Sequence, residues 1–228
     1  MNHSSDFQKQ GHNDTMIIMI KFRLVILLIV VTMCGFGCAI GNISYYEEQG
    51  IKNTDNTIFL KESKDKVWAK LIDGIGKSFF VINNIEKDSG LINISYGDDP
   101  CRFISCGTLN SYVLSAQGKR QYNFPACIEY KEYEEFHKGN LFIIRRWITL
   151  DGRASIIVQK RNNGTLVKVN VRYVVIKNAK IYDPSYKFIN TKLSNIKFNS
   201  NGGESYPNGL KCYANGQFEK MILDIVNK

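Results

Sequence analysis

The sequence has 228 residues, 44% of them hydrophobic and 22% charged. That is enough chain for one domain or two and enough apolar content for a packed core, which excludes a wholly disordered polypeptide. The formal net charge is +9, but the basic residues are dispersed and cluster no further than pairs such as Lys119-Arg120 and Arg145-Arg146. A nucleic-acid interface is therefore not expected, whereas anionic lipid or an anionic envelope polymer would suit the charge.

Residues 1–15 are polar and aperiodic. Lys21 and Arg23 then precede an apolar run, 24–33, which leads into small residues and cysteine. A positive segment, a short apolar segment and a small-residue exit follow the plan of an export signal. A start at Met16 or Met19 would shorten the leading polar segment to an ordinary length. Cys38 follows Gly37 and is the preferred lipidation residue, although Gly35 and Phe36 depart from the usual lipobox. Cys34, preceded by the large Met33, is the second choice. The alternative is a retained inner-membrane anchor, because residues 24–40 are 17 uncharged positions, the lower end of a spanning length. Lys21 and Arg23 would then hold the N-terminus in the cytoplasm. Both readings export residues 41–228. Ala39 after a lipidated Cys38 leans toward the outer membrane, with the domain facing the periplasm. The chain thus divides into a signal or anchor segment (1–37), a polar tether (38–56) and a folded domain (57–228).

Four further cysteines, Cys101, Cys106, Cys127 and Cys212, are an even number in an exported segment and predict two disulfides. A metal site is not expected, since no C-x-x-C occurs and His137 is the single histidine after residue 12. The preferred pairing is Cys106–Cys212, which ties the end of the chain to its middle, with Cys101–Cys127. A Cys101–Cys106 bond is the open alternative.

Within 57–228, residues 57–62 read as a strand. Ser63 is a helix cap, and Val67, Leu71 and Ile75 recur at helical spacing up to Gly76. Strands are expected at 78–83 and 91–96, with Asp88-Ser89-Gly90 turning between them. Residues 101–140 look irregular apart from a short strand near 111–114. Strands 141–150 and 153–160 flank Asp151-Gly152, a hairpin signal, and Asn162-Asn163-Gly164 turns into 165–177, where polar and apolar residues alternate. A strand at 186–198 and a loop through 201–209 come next. Phe218, Met221, Ile222, Ile225 and Val226 then mark a terminal amphipathic helix. The expectation is an α+β domain: an antiparallel sheet with two helices on one face, in a helix-grip-like order.

No constellation points to catalysis. His137 sits in the charged stretch KEYEEFH and reads as a solvated side chain. Asp98 and Asp99, between Gly97 and Pro100, read as a turn and not as a cation site. Arg145 and Arg146 lie in one strand and must face opposite ways. One of them, with Arg153 and Arg172, would form a basic patch on the solvated face. Trp68 and Trp147 are expected in the core. Tyr45 and Tyr46 suit a membrane interface or the tether. No catalytic residue, metal or cofactor is assigned.

The stretches SFFVINNIEKDSGLINISYGDDPCRFISCG, GNLFIIRRWITLDGRASIIV and KCYANGQFEKMILDIV resemble a group of uncharacterised Gram-negative envelope lipoproteins over about residues 57–227. More distantly, the element order resembles the helix-grip domains of BamC, an accessory lipoprotein of the outer-membrane β-barrel assembly machine. BamC carries two such domains and this chain has room for one. The resemblance implies a non-enzymatic envelope lipoprotein that binds another envelope protein, in envelope or secretion-apparatus assembly. The alternative is a small-ligand or lipid-binding module with its cavity between helix and sheet.

Overall fold

The computed structural model describes residues 39–47, 55–97, 99–200, 202–207 and 209–227. Cys34, Cys38 and Asp98 lie outside the described residues. The α+β class holds, with antiparallel strand predominating and two α-helices among the described residues.

Two long strands form the spine. β9 (Asn140–Arg161) and β10 (Gly164–Tyr182) pair antiparallel from Arg161↔Gly164 to Ile143↔Tyr182, joined through Asn162 and Asn163 as expected. Each is long enough to take two partners on its far edge. β2 (Thr57–Leu60) and β11 (Phe188–Asn199) share β10, and β4 (Leu91–Tyr96) and β8 (Tyr130–His137) share β9. β3 (Val81–Glu86) pairs with β4. Near the β9–β10 turn the strand order is thus β2-β10-β9-β4-β3, and at the other end it is β11-β10-β9-β8. Val167, Val169, Val171, Tyr173 and Val175 of β10 are buried, while Lys168, Asn170 and Arg172 are exposed. One face of the sheet is a core face and the other is solvated.

α1 (Lys64–Gly76) begins at Ser63, whose hydroxyl accepts from the Lys66 backbone N–H, and it buries Val67, Trp68, Leu71 and Ile75. Gly76 is its last helical residue. α2 (Gln217–Val226) buries Phe218, Ile222 and Val226. The two helices approach closely at Gly74, where an added Cβ would meet Ile225 Cγ2 at 2.2 Å.

The rest of the core is built by residues whose sequence looked irregular. β1 (Ile40–Tyr46), β6 (Thr108–Ser115) and β7 (Gly118–Pro125) form a three-stranded sheet in the order β1-β6-β7. It packs on β8 through the Phe124 and Tyr133 rings, 5.3 Å apart, and through the Ser111 hydroxyl donating to the Glu134 carbonyl. β12 (Gly203–Ser205), β13 (Lys211–Ala214) and β5 (Ile104–Ser105) make a third, small sheet after the 3-10 turn Pro100–Arg102. The disulfides Cys101–Cys127 and Cys106–Cys212 join these pieces.

Three expectations are corrected. Residues 40–46 of the supposed tether are a strand paired with β6, and Tyr45 and Tyr46 belong to it. Residues 101–140 hold β5 to β8. Asp151-Gly152 is not a hairpin turn: β9 runs straight through it, with Gly152 opposite Tyr173 on one side and Tyr96 on the other. An added Cβ at Gly152 would meet Phe218 Cε2 at 2.7 Å, so the glycine is there to let α2 approach. The turn that closes the β8–β9 hairpin is Lys138-Gly139, with φ of 50° and 80°, the primed form that suits twisted strands.

Candidate functional site

The alternation of β9 and β10 decides what the solvated face displays. Odd residues of β9 and even residues of β10 point outward, so Arg145, Arg153 and Arg172 share this face and Arg146 takes the other. The expected patch therefore loses Arg146. Arg145 stands apart from the other two, eight residues along the strand from Arg153, roughly 26 Å.

Near the β9–β10 turn the outer face is polar. A groove of about 500 Å³ is lined by Asn83, Asn93, Ser95, Asp151, Arg153 and Ser155. Its groups largely satisfy one another: the Ser155 hydroxyl donates to Asn93 Oδ1 (2.9 Å), and Arg153 pairs with Asp151 (3.1 Å). Arg172 stands directly opposite Arg153 in the ladder.

At the β8–β11 end the same face becomes aromatic and apolar. Tyr130 and Trp147 lie 5.2 Å apart, with Lys180 Nζ 5.6 Å from the Trp147 ring. The Arg145 guanidinium sits between the rings of Tyr182 (5.0 Å) and Tyr186 (5.5 Å), and its Nε donates to Glu132 (2.6 Å). The Tyr186 hydroxyl donates to the same carboxylate (3.0 Å). Hydrogen bonding from Arg145, above all, holds the Glu132 carboxyl below its usual range. Beside this cluster Leu193 is 69% exposed, Phe188 55% and Tyr186 53%, with Ile176 and Ile189 also open to solvent.

The loop that carries Tyr186 is tightly built. Asp183 Oδ1 accepts from the backbone N–H groups of Ser185 and Lys187, and the Tyr186 N–H donates to the Asp183 carbonyl. Tyr186 itself has φ 61°, a left-handed conformation that a bulky side chain adopts at a cost. The strain sets its ring against Arg145. Trp147, expected in the core, is thus part of this open platform, while Trp68 is buried. The β9 alternation already puts Arg145 and Trp147 on one face. Tyr130, Tyr182, Tyr186 and Phe188 carried no such signal, because only strand pairing brings them alongside.

Beneath α2 the interior offers no comparable access. The space beneath α2, where a ligand cavity was the alternative, is filled by rings: Phe218 lies 5.3 Å from Phe80, 5.0 Å from Phe103, 6.0 Å from Tyr96 and 6.3 Å from Tyr173. Within it the Tyr173 hydroxyl donates to the fully buried Glu219 (3.0 Å), and burial pushes the phenol's pKa upward. His137 is exposed at the hairpin tip. Asp99 accepts from the Cys101 N–H and caps the 3-10 turn. Among the described residues no group of three His, Cys, Asp or Glu converges on a metal position, and no helix is long and apolar enough to cross a membrane.

The two disulfides suggest an oxidising compartment outside the cytoplasm. No protein-family model, curated protein or solved structure matches the chain.

Proposed function

We propose that the chain is a non-enzymatic lipoprotein of a Gram-negative envelope, held in the outer membrane through Cys38, with its helix-grip-like domain in the periplasm. In this reading its task is to bind a partner protein of envelope or secretion-apparatus assembly on the β8–β11 end of the outer sheet face. The observation that supports it is the platform on the outer sheet face, where Tyr130, Tyr186, Phe188 and Leu193 are exposed beside the half-buried Trp147, while the space beneath α2 is filled by rings. Aromatic rings and arginine at the centre of a polar surface are the composition of protein-binding hot spots. Lys180, on the same face, gives the rim a positive charge that fits a partner with acidic groups around an apolar centre.

The test places a photo-crosslinking side chain at Leu193, and at Lys168 on the same face as a control, in the full chain expressed in an envelope. One discrete adduct from Leu193 in the detergent-phase fraction is expected, with loss of that partitioning in Cys38→Ala. Capture should fall at least tenfold in Trp147→Ala, the scale of a hot-spot residue. Equal labelling from both positions, or none from Leu193, would reject the surface.

A further inference from the structure

The core face at the β8–β11 end buries a cation. Arg146 is 2% exposed, and among the described residues its Nε and Nη2 have no hydrogen-bond partner. These two N–H groups share the side-on edge of the guanidinium, the edge that receives both oxygens of a carboxylate or phosphate in parallel bonds. The ring of Phe124 lies 5.1 Å from the guanidinium carbon, and Tyr133 and Tyr206 are buried in the same region. Lys177, one strand over on the same core face, has its ammonium 4.3 Å from the Tyr206 ring centre. The acid nearby is Glu135 of β8. Burial raises its pKa, which favours the uncharged form. Arg146 thus holds a buried charge with two unsatisfied N–H groups, and a buried charge left uncompensated is strongly destabilising.

We propose that this interior, between the β1-β6-β7 sheet and strands β8, β9 and β10, is an oxyanion site in which the Nε/Nη2 edge of Arg146 grips a small carboxylate or phosphate and Lys177 supplies the second positive charge. Phe124, Tyr133 and Tyr206 wall it. A carboxylate or phosphate meets the two orphaned N–H groups with two separate oxygens in parallel bonds, where a halide offers both the same single acceptor. The site faces away from the aromatic platform, so it stands or falls independently of the partner-binding reading.

The full chain, purified with its disulfides intact, is unfolded thermally at constant ionic strength in chloride, acetate or inorganic phosphate. A saturable rise in Tm is expected with phosphate or acetate, roughly 5 °C or more at a hundredfold excess over Kd. Arg146→Met should lose that rise while matching or exceeding the wild type in chloride, since it removes an unpaired buried charge. Arg146→Lys keeps the charge without the fork and should bind at least tenfold more weakly. Equilibrium dialysis of radiolabelled phosphate against the wild-type chain should read one site per chain. No bound phosphate and no bound acetate, or rises in both variants equal to the wild type's, overturn the proposal.

Discussion

Lys177 shows how one residue's surroundings set its chemistry. Burial, with Arg146 adding repulsion, lowers its pKa from 10.5 to about 8. Glu135 pulls the other way and Lys192 of β11 adds to the repulsion. Below about pH 8 the side chain is charged in both folded and unfolded protein, and the cost of burying it is constant. Between about pH 8 and 10 the unfolded chain binds a proton that the folded chain has released, so stability rises with pH. Above the ordinary tyrosine range the trend reverses, because burial raises the pKa values of Tyr133, Tyr173 and Tyr206 and the unfolded chain ionises first. Glu135, also raised, acts in the acid range: its contribution is full below the unfolded value of 4.5 and is lost as pH climbs through the folded one. Urea unfolding in phosphate-free buffer should therefore show stability increasing from pH 8 to 10, and Lys177→Met should flatten that increase. A wild-type profile that is level or falling across this window contradicts the assignment.

Elements were legible where a period was long and uninterrupted. α1 follows from Ser63 and the Val67, Leu71, Ile75 spacing, and α2 from Phe218 to Val226, because one apolar stripe on a helix has one way to be buried. β10 was legible through its alternation. The strands between 101 and 140 were not, because β7 (GKRQYNFP) and β8 (YKEYEEFH) carry charges that look like loop composition. Those charges find partners across strands, Arg120 with Glu134 and Arg145 with Glu132, and pairing of that kind has no local signature. Asp151-Gly152 misled for a related reason. A dipeptide with a strong turn preference lies in mid-strand because Phe218, 66 positions later, needs the space. Gly152→Ala should accordingly destabilise by about 1–3 kcal/mol through overpacking against the Phe218 ring. The urea midpoint would fall with an unchanged m-value. A neutral effect would mean that α2 does not seat on β9 as described.

At the scale of the whole molecule, the disulfides close the architecture. Cys101–Cys127 spans 26 positions and Cys106–Cys212 spans 106. Chain entropy assigns them about 3.5 and about 4.8 kcal/mol of stabilisation respectively. The longer bridge should matter more: Cys106→Ala/Cys212→Ala is expected to lose about 4–5 kcal/mol, against about 3–4 for Cys101→Ala/Cys127→Ala, by denaturant unfolding. Mass spectrometry without reductant should find these four cysteines paired in that connectivity, and free thiols at Cys106 and Cys212 in exported protein would refute it. The even cysteine count, the α+β class and both helices could be read from residue order alone, since each rests on local spacing or on parity. Which arginine turns inward, which rings gather around Arg145 and where the irregular middle goes were settled by tertiary structure. Those outcomes depend on register between strands far apart in the chain, and a register shift of one residue exchanges the buried face for the exposed one.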